Sequence, residues 1–168
     1  KCYVGLDLSS TTDITAAVYL FPPQGDTTDW RFIHDAWIPE ENMRERVTRD
    51  KVPYDRWVNA KHLLATPGNV VDYDFVEARL AAASKQYEIH TVGADPWNSR
   101  MLTQRLMRQG IDVIEIPQNM KHMSPAMKTI EQLLKRSLMT HEKNPVARWS
   151  FGNTVVTMDG NENIKPMK

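Results

Sequence analysis

Cysteine is nearly absent. Cys2 is the single one among 168 residues, which excludes an intrachain disulfide and a cysteine zinc site, suits a reducing compartment, and leaves Cys2 as an expected small core residue. Long apolar runs are also missing. Stretches such as Ile14 to Pro23 are too short to span a bilayer, and no charged segment followed by an apolar h-region opens the chain, so neither membrane insertion nor secretion is expected. Net charge is absent as well, because 21 Lys and Arg balance 21 Asp and Glu. No global field therefore attracts a polyanion, and any nucleic-acid contact must rest on a local patch. The pattern G-x-x-x-x-G-K-[ST] does not occur, so the chain alone is not a P-loop motor. No Met precedes Lys1, and Lys168 directly follows a hairpin-like stretch. These ends lead us to expect one domain, residues 1–168, cut from a longer chain.

What is present is an ordinary globular composition, with 41% hydrophobic and 25% charged residues, enough for a single core. Cys2 to Leu8, Ile14 to Phe21 and Trp30 to Ile38 read as three strands with short connections, hence an antiparallel meander. Pro39 to Pro53 is charge-rich and reads as an exposed helix or loop, and Tyr54 to Leu63 as a short helix. The pattern then alternates between helix and strand. Val76, Leu80, Ala83 and Tyr87 recur at helical spacing after the cap candidates Asp72 and Asp74. Glu88 to Ala94 is a fourth strand, Asn98 or Ser99 can cap a helix ending at Gly110, and Ile111 to Ile116 is a fifth strand. Met123, Met127, Ile130, Leu134 and Leu138 mark a long helix. Trp149 to Met158 with Asp159-Gly160-Asn161 reads as a hairpin arm. The fold class is therefore α/β: a mixed sheet, antiparallel in strands 1–3 and parallel in strands 4–5, flanked by helices and followed by a C-terminal β-hairpin.

Two strands end alike. The first closes on Gly5-Leu6-Asp7 and the fourth on Gly93-Ala94-Asp95. Residues two apart in a strand share a face, so each glycine lies beside its acid and removes bulk there. On parallel neighbouring strands, about 4.8 Å apart, the two carboxylates would converge at one sheet edge. Such a pair calls for a neutralising cation or basic group, and hard divalent ions prefer oxygen donors of this kind. Read alone, each aspartate is equally a turn or helix-cap residue.

The stretches YVGLDLSSTTDITAAVYLFP, VGADPWN, VIEIPQNMKHMSPAMKTIEQLL and HEKNPVARWSFGN resemble, in order and spacing, the nuclease domain of tailed-phage terminase large subunits, the DNA-packaging motor-nucleases. The resemblance covers nearly the whole chain. It implies an RNase H-like fold and a metal-dependent endonuclease acting on double-stranded viral DNA during genome packaging. It further implies a pair of Mg²⁺ or Mn²⁺ ions, with Asp7 and Asp95 as catalytic metal ligands. The implied partners are double-stranded DNA, an N-terminal ATPase domain of the parent chain, the portal and the small terminase subunit. The implied setting is the cytoplasm of an infected bacterial host. The family places a third catalytic acid on a helix after the hairpin region, which this chain does not reach, so weak activity is expected of the fragment. Asp159 is the only late acid in a suggestive place, and its Asp-Gly-Asn setting is foremost a tight turn.

Other residues allow two roles each. Asp13 could reach Asp7 or a metal from the outer shell, or simply end the Ser-Ser-Thr-Thr turn. Ser9, with Ser10, Thr11 and Thr12, could donate to phosphate or bond within that turn. Lys121, Lys128 and Lys135 recur every seven residues on one side of the long helix and could track a DNA backbone or form a solvated face. The cluster Arg44, Arg46, Arg49 and Lys51 is diluted by Glu40, Glu41, Glu45 and Asp50. His141 is expected to tether the loop before Pro145, and Trp97 to support the loop of Asp95 from the core. The competing functions are an actin- or sugar-kinase-like ATP-binding domain, for which the glycine-rich nucleotide loop is missing, and a catalytically inactive RNase H-like scaffold that binds DNA or the portal.

Overall fold

The computed structural model describes residues 1–9 and 13–167, with the Asn98 side chain excepted. The expected turn at Ser10, Thr11 and Thr12 lies outside the described residues. The chain runs β1 (Cys2–Asp7), β2 (Thr15–Phe21), β3 (Trp30–Pro39), α1 (Met43–Asp50), α2 (Tyr54–Asn59), β4 (Leu64–Thr66) and α3 (Tyr73–Gln86). It continues with β5 (Ile89–Ala94), α4 (Pro96–Arg108), β6 (Val113–Glu115), α5 (Met120–Lys135), β7 (Met139–His141), α6 (Pro145–Gly152), β8 (Val156–Met158) and β9 (Ile164–Pro166).

The main sheet has the order β4-β3-β2-β1-β5-β6, with β7 also on β3. The meander β1-β2-β3 is antiparallel, and β5 and β6 add parallel to β1, as the strand-helix alternation requires. Consequently the C-terminal ends of β1, β3, β4, β5 and β6 all lie along one edge of the sheet. β4 and β7 share the outer edge of β3, pairing with its C-terminal and N-terminal ends respectively. Neither has the length to show an alternating pattern, and neither is anticipated from the sequence.

Alternation in β1 is strict: Cys2, Val4 and Leu6 are buried while Tyr3, Gly5 and Asp7 are exposed. The buried set meets Val76, Leu80 and Ala83 of α3 and Leu102 and Leu106 of α4 in the larger core. Leu80 and Leu106 are wholly enclosed, so truncating either to Ala costs about 2–5 kcal/mol. A second core lies over β3, where Ala36 and Ile38 pack with Tyr54, Leu63 and Val146. There the rings of Tyr54, Trp57 and Trp149 meet at centroid distances of 5.8 to 6.5 Å. Among the described residues, no helix is long and apolar enough to cross a membrane.

Several sequence expectations are corrected. The charge-rich segment forms a helix, α1, as one of its two expected states, but it is not exposed throughout, since Arg46 is buried over the Tyr54 ring at 5.1 Å. The helix after β5 starts earlier than Asn98 or Ser99: Asp95 is its N-cap and Pro96 its first residue, a position suited to the fixed φ of proline. Trp149 to Gly152 is helical, in α6, because Asn144 caps the segment by accepting from Val146 N at 2.8 Å and Pro145 opens it. The hairpin is thus shorter than expected, with Asp159-Gly160-Asn161 in its turn. Trp97 is 87% exposed and supports nothing from the core.

Candidate nuclease site

Strand pairing brings Asp7 and Asp95 together. The β1–β5 register matches Gly5 with Gly93 and Leu6 with Ala94. Asp7 and Asp95 each follow this matched pair by one residue, at the C-terminal ends of β1 and β5. Asp7 is exposed and still pairs with Ala16 on β2. Asp95 is partly exposed and extended, with φ −67° and ψ 129°.

The glycines differ in function. A Cβ at Gly5 would meet open space, whereas one at Gly93 would stand 2.3 Å from Cδ1 of Ile116. Ile116 follows β6, and its N–H donates to Ala94 O at 2.8 Å, which folds its side chain over Gly93. Gly93 therefore makes room for a neighbouring side chain, while Gly5 leaves the surface beside Asp7 open.

Asp95 is held at both ends. Its Oδ1 accepts from Trp97 N at 3.2 Å, and its carbonyl accepts from the buried Ser99 hydroxyl. The capping and site roles do not exclude each other, since a carboxylate has two oxygens and about four acceptor positions. The N-terminus of α4 also brings a partial positive charge to this edge, which favours anions there.

Other expected residues are placed as follows. Ser9 N donates to the buried Thr15 Oγ1 at 3.0 Å, and Ser9 O accepts from Tyr73 Oη at 2.7 Å. The exit of β1 is thereby tied to β2 and α3, and burial pushes the Tyr73 phenol up. Asp13 is exposed in the bend before β2. Arg49 of α1 is raised first by its hydrogen bond to Asp50 and also feels the Asp13 charge. Lys121, Lys128 and Lys135 are exposed on α5, whose main packing partners are β9 and β7. Because α5 follows β6, Lys121 lies toward the carboxylate edge and Lys135 about 21 Å farther along the helix. Lys135 is paired with Glu131 at 2.6 Å. The carboxylate of Asp159 accepts from Asn161 N, Asn163 N and Asn163 Nδ2, each at 2.9 Å, so it serves the hairpin turn. His141 accepts from Lys143 N at 3.0 Å through Nδ1, the expected loop tether.

Among the described residues, no group of three or more His, Cys, Asp or Glu side chains could hold a metal ion. The donor chemistry of two adjacent carboxylates suits a hard divalent cation, and the set is short of a full complement. Asp7 and Asp95 line neither of two nearby clefts. One, of about 380 Å³, opens between the loop Pro67 to Asp74 and α4, and the other, of about 230 Å³, lies beside Arg46 and Arg49. An open edge accepts a polymer lying across it, whereas a small-molecule site is enclosed. Sequence reading missed the Ile116 cover over Gly93 and the exposure of Trp97. The Asp95-Pro96 pair was a usable signal for an N-cap.

Comparison with known proteins agrees with this architecture. The family described as "Terminase large subunit, endonuclease domain" matches residues 1–168. The large terminase subunit of Enterobacteria phage HK97 is 33% identical over 167 residues, covering 98% of this chain and 33% of that protein. Protein YmfN of Escherichia coli (strain K12) is 27% identical over 177 residues, covering 99% of this chain and 38% of YmfN. The crystal structure of the HK97 large terminase superposes with a TM-score of 0.90 at 33% identity, over all of this chain and 35% of that one. The chain thus spans about a third of the length of these relatives. With a chain-long family match, a relative at one-third identity and a shared fold, the chain belongs to the terminase large subunit endonuclease domain family.

Proposed function

We propose that the chain is a metal-dependent endodeoxyribonuclease domain that cuts double-stranded viral DNA during genome packaging. The observation that supports this reading is the β1–β5 register, whose last matched pair, Leu6 and Ala94, directly precedes Asp7 and Asp95. Asp7 and Asp95 would hold Mg²⁺ or Mn²⁺. A pair of such ions, when bound, polarises the scissile phosphodiester, lowers the pKa of an attacking water and stabilises the leaving oxygen. Asp95 is oriented for this by its bonds through Trp97 N and Ser99 Oγ. Ser9 and Asp13 are outer-shell residues in this proposal. Lys121 and Lys128 contact DNA phosphates, and Lys135 does so less because Glu131 occupies it.

We further infer that the domain works as part of a longer chain with an ATPase domain, alongside the portal and small subunit, in the cytoplasm of the infected bacterium. A second reading is a non-catalytic DNA- or portal-binding scaffold.

The test is incubation of supercoiled plasmid with Mn²⁺ and either the 168-residue chain or a form extended at its C-terminus. Cutting by the extended form is expected. Duplex binding without cutting by either form would leave the scaffold reading instead.

A further inference from the structure

Arg46 of α1 is 6% exposed, and its Nε and Nη1 are buried with no hydrogen-bond partner among the described residues. A buried guanidinium whose N–H groups lack acceptors is costly to hold, because water has been removed and nothing replaces it. Beside it opens the cleft of about 230 Å³, lined by Arg46 together with Glu41, Asn42, Glu45, Arg49 and Asn69. That volume falls below the about 300–1,000 Å³ of clefts that enclose a whole small molecule, so it suits one group of a larger ligand. Glu41 and Glu45 are exposed, and neither reaches Nε or Nη1. Arg49 is occupied by Asp50 at 2.6 Å, and Asp50 also accepts from the Tyr54 hydroxyl at 3.3 Å. Of the two arginines in the cleft, Arg46 is the one still short of an acceptor.

The cleft stands on the Asp7 side of the sheet. Asp7 pairs with Ala16 and Ala16 with Ala36, so these three share a face across β1, β2 and β3. On that face Ala36 and Ile38 pack in one core with Met43 and Val47 of α1. Pro39, which closes β3 and also lines the cleft, lies along the edge where β1 ends in Asp7. Two strand spacings of about 4.8 Å and three residues of about 3.3 Å put Pro39 about 14 Å from Asp7. That is about four base-pair rises of a duplex.

We propose that this cleft seats one backbone phosphate of duplex DNA, with Arg46 as its cation. The guanidinium turns from the Tyr54 ring, over which it rests at 5.1 Å, toward the phosphate, whose oxygens supply the acceptors that Nε and Nη1 lack. The planar donor fork of arginine matches phosphate oxygens, and the Asn42 and Asn69 amides line the same cleft. Glu41 and Glu45 oppose an anion, so a free phosphate fills the seat poorly, while one tethered to a bound polymer gains from its high effective concentration. This rests on the nuclease reading and adds a positioning contact that fixes where the strand runs relative to Asp7.

Binding of a linear duplex in EDTA separates contact from cleavage. Arg46→Met keeps the side-chain volume and removes the buried charge, so it should melt at or above the parent temperature, while the slope of log affinity against log salt falls by about 1. Glu45→Gln, at an exposed position, should tighten duplex binding about 2- to 5-fold. That gain should vanish when Arg46→Met is also present. In nitrogen–proton correlation spectra the Arg46 Nε–H signal should shift on adding duplex, and with inorganic phosphate only at far higher concentration.

Parent affinity and salt slope in Arg46→Met, or a Glu45→Gln gain that persists without Arg46, overturns the proposal. So does saturation by inorganic phosphate as readily as by duplex, which would make the cleft a free-anion site. Should Arg46→Met fail to fold, an unmoved Arg46 Nε–H signal or unchanged binding in Glu45→Gln overturns it instead. Arg46-dependent binding without any plasmid cutting by the extended form would defeat the nuclease reading alone.

Discussion

Asp7 and Asp95 stand level on adjacent parallel strands, each one residue beyond the matched pair Leu6 and Ala94. Pairing of β1 with β5 thus draws residues 88 positions apart in sequence toward one edge of the sheet. Removing the charge of either should abolish plasmid cutting by the extended form. Outer-shell substitutions at metal sites cost about 10- to 100-fold in activity, so Asp7→Asn and Asp95→Asn should each cost more than about 100-fold. Asp95 has a second duty that separates the variants. Asn caps helices as well as Asp does, and Asp95→Asn should melt like the parent, while Asp95→Ala should lose about 1 kcal/mol of stability as well. Thermal melts beside a plasmid assay check both, and a cutting Asp95→Asn variant would remove the residue from the site.

The two glycines of the repeated strand ending should respond differently. Gly93→Ala drives a methyl against Cδ1 of Ile116 at 2.3 Å, and forced overpacking costs typically about 1–3 kcal/mol. Gly93→Ala with Ile116→Val, which removes that Cδ1, should recover most of the loss. Gly5→Ala meets open space and should leave stability unchanged or raised, since Gly weakens a strand interior. Urea melts of the three variants beside the parent would show it, and equal losses at both glycines would contradict the packing seen here.

The lysine row should not act uniformly. Lys121→Ala and Lys128→Ala are expected to reduce the salt slope of duplex binding by about 1 each if each meets a phosphate. Lys135→Ala should change it less, because its ammonium already faces Glu131 at 2.6 Å and lies at the far end of α5. Equal slopes for all three variants and the parent would assign the row to solvent.

The hairpin turn should be sensitive to acid. The Asp159 carboxyl is held below the usual carboxylate range, chiefly by the Asn163 side chain and then by the Asn163 and Asn161 backbone N–H groups. A folded-state pKa below the unfolded one gives stability that is present above the unfolded value and lost as pH falls through the folded value. The protection of the Asn161 and Asn163 amides, measured against their intrinsic exchange rates at each pH, should therefore fall once pH drops below about 4. An Asp159→Asn variant should show faster exchange at neutral pH and little further change on acidification.

The parts of the fold that were legible are those where one face is buried along a sufficient length. β1 alternates over six residues and α3 places Val76, Leu80 and Ala83 on one stripe, so period alone identifies them. β4 and β7, at three residues each, carry no period to read. Their existence depends on the outer edge of β3, which is a tertiary fact. The second half of α6, from Trp149, reads as a hairpin arm in the sequence because Trp149, Ser150 and Phe151 suit either state, and the Asn144-Pro145 cap that decides the matter lies before them. The parallel pairing of β1 with β5, Gly5 opposite Gly93, is foreseeable from the duplicated Gly-x-Asp endings and the strand-helix alternation. The exposure of Trp97 is not, since an aromatic residue after a strand is ordinarily buried and only the direction of α4 turns it outward.

The shared outer edge of β3 also bears on synthesis. Asp29 and Thr140, joined at 3.0 Å, are 111 residues apart, and Trp30 pairs with Met139. While the polypeptide emerges from the ribosome, the start of β3 therefore stays open to chance strand pairing until Met139–His141 have been made. The nascent meander is most exposed to aggregation in that interval, and β7 is the piece whose arrival ends it.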